Sequence, residues 1–192
     1  MKGNEQKTLE QRIAEAVREK ISIEPYNPVW PDMFEKEAGF LLKTLPFQMI
    51  KKIEHFGSTA VPGLSAKGVI DILVEVSSLE ETKARIVPLL ETLGYEYFWR
   101  TDIEPPYVWF IKRNPDGGRA CHIHMVEADS KQWDCLYFRD YLREFPDEAK
   151  RYEDLKHELA EKFKFDRVSY TEGKTAYITG VTKKAKQYYK AL

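Results

Sequence analysis

Residues 69–76 read Val-Ile-Asp-Ile-Leu-Val-Glu-Val, β-branched and apolar at nearly every position. Because both alternating sets of side chains are apolar, the pattern predicts a central strand covered on both faces rather than a half-wet one. It carries just two acids, Asp71 and Glu75. Around it, Ile50–Phe56 alternates as a strand and runs into the turn Gly57-Ser58-Thr59. Ile21–Tyr26, Tyr95–Arg100, Tyr107–Arg113 and Ala120–Val126 give further strands, with Asn114-Pro115-Asp116-Gly117-Gly118 as a hairpin turn. Helical spacing appears at Trp30–Leu45, with Pro31 in its first turn, and at Leu79–Leu93, closed by Gly94.

From Lys131 onward the period is helical: Gln132–Phe145, Asp147–Phe163 and roughly Ser169–Leu192. Strands come first and helices close the chain, which is an α+β arrangement with a C-terminal helical cap. Its 192 residues suit one domain, taken as residues 21–192, preceded by an N-terminal helical extension over residues 1–20. Thirty basic against 31 acidic residues leave a formal net charge of −1, so the chain has no global attraction for nucleic acid or an anionic membrane. Neither partner is expected, and an anion site has to be local. Cys121 and Cys135 form no CxxC pair, and the N-terminus lacks an apolar signal core. These features point to a cytoplasmic protein.

The segment richest in chemistry is residues 54–75, EHFGSTAVPGLSAKGVIDILVE. Gly57 lets the backbone approach a bulky anion, and Ser58 offers a hydroxyl and an amide to a phosphate. Asp71, across from that turn, can hold a divalent cation that neutralises the same phosphate. His122 and His124 alternate onto one face of their strand, where two imidazoles can converge on a metal with Asp71. Such a set favours Zn, Mn, Fe or Ni over Mg. The alternative is that both histidines only hydrogen-bond within the sheet or to substrate. His55 either lines the pocket or caps its strand. Lys67 is either a phosphate ligand or a solvated loop residue.

Arg139 and Arg143 share a helix face at i, i+4 and suit an anion, although Asp140 and Glu144 alternate with them as a surface ion-pair lattice would. Tyr170 and Lys174 make a similar pair, with Lys156 one helix earlier. Cys121 alternates away from His122 and belongs to the core.

HFGSTAVPGLSAKGVIDILVEV, then HIHMVE, then FRDYLREFP closely resemble the GrpB family of the nucleotidyltransferase superfamily, a domain also fused to some dephospho-CoA kinases. The resemblance spans about Ile23 to Ala185. It implies a mixed β-sheet flanked by helices, and a site in which Phe56-Gly57-Ser58 and Asp71 match the superfamily signature. Asp71 and Ser58 are then the catalytic candidates. Gly57, Ser58, Thr59, Lys67, Arg139, Arg143 and Lys174 are candidates for phosphate, and Asp71, His122 and His124 for a divalent metal (Mg, Mn or Zn). The implied partner is a small molecule, a nucleotide or another phosphorylated or acidic ligand, with nucleotidyl transfer to an unknown acceptor as the implied activity.

The departure from the signature is Leu73, where a second acid belongs. Glu75 cannot replace it, since positions four apart on a strand lie roughly 13 Å apart, too far to share one Mg²⁺. Two rivals therefore stand beside the transferase reading: a degenerate module that binds without chemistry, and a single-metal His/Asp enzyme such as a hydrolase.

Overall fold

The computed structural model describes residues 18–100 and 105–191. The expected N-terminal helix lies, apart from its last residues, outside them. Five strands form one sheet: β1 (Ile50–Phe56), β2 (Ile70–Val76), β3 (Glu96–Arg100), β4 (Tyr107–Arg113) and β5 (Arg119–Val126). The spatial order is β1-β2-β5-β4-β3, parallel only between β2 and β5 and antiparallel elsewhere. The expected mixed sheet flanked by helices is thus present, with β2 next to its centre. Parallel pairing of β2 with β5 needs a long crossover, and the chain makes it through a helix, β3 and β4.

One face of the sheet is the main core. Ile70, Ile72, Val74, Ile123, Met125 and Phe110 point into it. Helix α1 (Trp30–Thr44) covers this face with Trp30 and Leu41. Helix α2 covers the rest with Ile86, Val87 and Leu90. It is built of Leu79–Glu81, a wider π turn at Thr82–Ile86, and Val87–Thr92. The wide turn precedes Pro88, whose missing N–H interrupts the regular bonding there. Glu127 caps this helix through Leu79 N–H (2.8 Å).

The other face of the sheet carries Phe56, Asp71, Leu73, His122, His124 and Trp109, matched across the strands by the pairings Phe56 to Asp71, Asp71 to His122, Leu73 to His124 and Trp109 to His124. On this side lie α3 (Asp134–Glu144), α4 (Pro146–Lys162) and α5 (Arg167–Lys190). They form their own core around Phe138, Tyr141, Tyr152 and Val181, which also takes in Val61 and Leu64 of the loop before β2.

One expected strand is absent. Residues 21–26 make a single bridge, Glu24 to Ala66. Pro25 follows at once and has no N–H to continue a ladder. The segment is instead pinned at two points, Ile21 N to Lys164 O (2.9 Å) and the Glu24–Ala66 bridge.

Candidate functional site

Gly57 ends β1 with φ +74°, a conformation that side chains resist. A Cβ placed there would also collide with Oδ2 of Asp71. The glycine is therefore required twice, once by the backbone and once by the closeness of the acid. The Ser58–Ala60 turn that follows is fastened from behind. Thr59 is buried, its hydroxyl between His55 Nε2 (3.0 Å) and Val69 O (3.4 Å). His55 stacks on Phe34 at 4.7 Å, and burial drives its pKa down to about 4 despite the attraction of Asp71. It supports the turn from the core side.

Arg139 and Arg143 do the same from α3. Arg139 donates to His55 O (2.7 Å) and to Glu54 (2.8 Å), and Arg143 donates to Ala60 O (2.9 Å). Neither guanidinium lines the cavity described below. The structure places them behind the turn as braces, with Asp140 beside both.

In front of the turn, Asp71, His122 and His124 offer ligand atoms all within 4.8 Å of one another. Arg119 donates to His122 Nε2 (3.2 Å), so the proton of His122 sits on Nδ1 and is donated to Asp71 Oδ1 (3.0 Å). Burial raises the Asp71 pKa, but the bond from His122 and the neighbouring charges outweigh it and hold the carboxyl below its usual range. Burial keeps His122 neutral and takes His124 down to about 3. His124 packs between Tyr107 (5.3 Å) and Phe56 (5.1 Å), and among the described residues its Nδ1 is buried without a hydrogen-bond partner, as is Trp109 Nε1. An orphaned imidazole nitrogen beside an ionised carboxylate fits a cation. His122 can join the set only by giving up its Nδ1 proton or its bond from Arg119. Leu73, 0% exposed, packs with Tyr107 and Val126, so no second acid stands beside Asp71.

These residues form one end of a cavity of about 1060 Å³. Ser58 and Gly57 line it, Trp109 and Tyr107 form one wall, and Tyr152 and Tyr170 the opposite one. Six cations line the cavity: Lys67, Arg100, Arg119, Lys156, Arg167 and Lys174. Both lysines lie over the Tyr170 ring, at 5.2 and 4.4 Å. Burial, then repulsion from Lys174 and Arg167, lowers the Lys67 pKa to about 7, while burial takes Lys174 to about 8 against the pull of Asp71. Among the described residues the contact of each ammonium is the Tyr170 ring rather than a paired carboxylate. Lys156 is occupied elsewhere, donating to Ser65 O, and burial brings its pKa down to about 7.

Sequence reasoning missed Arg119, Arg167 and Trp109. Arg167 could have been found: with Tyr170 and Lys174 it makes an i, i+3, i+7 series on one face of α5. Cys135 also borders the cavity, but burial raises its thiol pKa to about 12, leaving it inert at neutral pH.

Fold and site together define an α+β protein with a mixed sheet and a cationic cavity built against one half-buried acid and two histidines. Residues 20–184 match the GrpB protein family, and the chain belongs to it. It is 38% identical over 178 residues to a UPF0157 protein of Pseudomonas aeruginosa, covering 91% of this chain and 72% of that one. It is likewise 38% identical over 151 residues to glutamate-rich protein GrpB of Alkalihalophilus pseudofirmus, covering 78% and 86%. The crystal structure of GrpB from Enterococcus faecalis superposes with a TM-score of 0.78 at 35% identity, over 88% of this chain and 99% of that one. A dephospho-CoA kinase of Mycolicibacterium paratuberculosis carries a related segment, 27% identical over 88% of this chain and 46% of the kinase.

Proposed function

We propose that the cavity binds a nucleotide or another phosphorylated small molecule, with a divalent cation assisting at Asp71. The observation that carries this is the pair Lys67 and Lys174. Two half-buried ammoniums share one aromatic ring with guanidiniums nearby, and among the described residues neither ammonium is paired with a carboxylate. Such a cluster is stabilised by an anion of several charges. Phosphate oxygens between it and the Ser58 turn would also lie within reach of a cation on Asp71.

Asp71 and His124 would hold that ion, with His122 either joining them or keeping the carboxylate oriented. The ion would supply charge neutralisation at the phosphate. Gly57 gives the ligand backbone access, Ser58 offers its hydroxyl, and the half-buried Trp109 lines the cavity as an aromatic surface for a planar group such as a nucleobase. Nucleotidyl transfer to an acceptor is the reaction this arrangement supports if it is catalytic.

Leu73 favours a second reading, a module that binds the same ligand without transfer, since one carboxylate leaves most of the charge of two Mg²⁺ uncompensated. Calorimetric titration of the whole chain with ATP, with and without Mn²⁺, tests the binding claim, and incubation with α-labelled ATP and a metabolite pool separates the two readings. Binding that weakens at least tenfold in Lys174→Met supports the cavity, whereas unchanged affinity in that variant refutes it. A labelled adduct with release of pyrophosphate marks the transferase, and binding without turnover marks the module.

A further inference from the structure

Beyond the two lysines, the cavity wall holds a second cationic group whose counter-ion is part of the chain itself. Glu19 lies just ahead of the pinned segment and receives three guanidiniums. Arg113 donates to its Oε1 (2.9 Å), Arg119 to its Oε2 (2.8 Å), and Arg167 lies 3.3 Å from the same Oε2. Arg113 has a second carboxylate in Glu96 (2.6 Å). Arg119 and Arg167, the two that line the cavity, share Glu19. Arg167 Nε is buried with no hydrogen-bond partner among the described residues. One carboxylate thus serves three guanidiniums and, among the described residues, leaves the Nε of Arg167 unsatisfied, the state in which a larger anion binds better.

We propose that Arg119 and Arg167 form an anion subsite for the far end of a polyanionic ligand, and that Glu19 occupies it from within until the ligand displaces it. This rests on the cavity being the ligand site. The displacement is local. Ile21 is fixed by its bond to Lys164 O and Glu24 by its bridge to Ala66, so only the Glu19 side chain and its immediate backbone need turn away. A carboxylate brings two oxygens and one charge to this place. A terminal phosphate brings three oxygens and up to two charges, enough to reach the orphaned Nε as well. The favoured ligand therefore has its anionic groups spread along its length, like a polyphosphate chain, rather than a single phosphate.

An internal occupant weakens the apparent affinity by the fraction of molecules in which it holds the subsite. Titration of the full chain with inorganic tripolyphosphate, wild type against Glu19→Gln, reads this directly. Loss of the Glu19 charge should tighten binding about tenfold, the size of one charge-assisted hydrogen bond. Amide exchange in the wild type gives an independent measure should the variant fold poorly: tripolyphosphate should speed exchange at residues 19 and 20. If the wild type binds tripolyphosphate and Glu19→Gln binds no tighter, or if exchange at those residues slows or stays the same, Glu19 is no occupant and the cavity reading survives. If neither protein binds tripolyphosphate or ATP, the cavity reading falls and this inference with it.

Discussion

Ligand binding in this cavity should take up protons, by an amount the structure fixes. Lys67 and Lys174 have pKa values brought to about 7 and about 8. At pH 8 they therefore carry about 0.1 and about 0.5 proton in the free protein. A polyphosphate lodged between them supplies the missing counter-charge and returns both to near full protonation, an uptake of about 1.4 protons. At pH 6.5 the lysines are mostly charged already, and the uptake falls to about 0.3. ATP is the ligand of choice for this titration, because its terminal phosphate is almost fully ionised at pH 8 and its own proton release then masks little of the uptake. Calorimetric titrations in buffers of different ionisation enthalpy give the proton count as a slope. Lys174→Met should leave about 0.9 proton at pH 8, and Lys67→Met about 0.5, each variant losing its own share. An uptake near zero at pH 8 in the wild type, or one indifferent to both substitutions, refutes the claim that these ammoniums face the ligand.

Lys67→Met should raise the melting temperature in ligand-free protein while weakening ATP binding, because the folded state holds Lys67 with a lowered pKa and so favours its neutral form. By the same linkage the unfolded chain binds more protons between pH 7 and 10, so wild-type stability should climb through that window, and a denaturant series should show the climb reduced in the variant. Gly57→Ala should destabilise the fold by about 1–3 kcal/mol, from its positive φ and the collision with Asp71, read as a lowered denaturation midpoint at unchanged slope. His55 and His124, with pKa values lowered to about 4 and about 3, contribute stability that is present above pH 6.5 and lost as pH falls. The loss should approach about 1.4 kcal/mol per pH unit for each histidine, and His55→Gln should remove one share of the slope. Arg143→Ala leaves Ala60 O without its side-chain donor and should weaken ATP binding with little change in melting temperature, since the guanidinium is part-exposed and Arg139 still braces the turn.

Much of the site was legible because it is written in alternation. Asp71, His122 and His124 face one way because their strands have period two, and Gly57 and Ser58 lie at the strand end that faces Asp71. The strands β1, β2, β4 and β5 follow from apolar runs punctuated by glycine and proline. Where local pattern failed, the deciding partner lay far along the chain. Residues 21–26 have strand composition, but Pro25 ends their pairing after one bridge. Arg139 and Arg143 do share a helix face, as their spacing requires. Which side of the turn that face meets depends on how α3 packs against β1, and no spacing within α3 records it.

Arg119 shows the limit most sharply. Counting by twos from His122 sends it to the opposite face, with Cys121. The register with β4 shifts there, however: Lys112 pairs with Cys121 and Arg113 with Arg119, so Ala120 is an extra residue. That bulge turns Arg119 back to the face of His122, where it donates to Nε2 and sets which nitrogen carries the proton. A single inserted residue thus decides the protonation pattern around Asp71, and whether His122 is a ready metal ligand or an orienting one. The alternation could place the three candidate ligands together, but their chemical state depends on Arg119 and, through it, on Glu19, separated from it by 100 positions in the chain. The site's composition is local information, and its charge state is a property of the assembled fold.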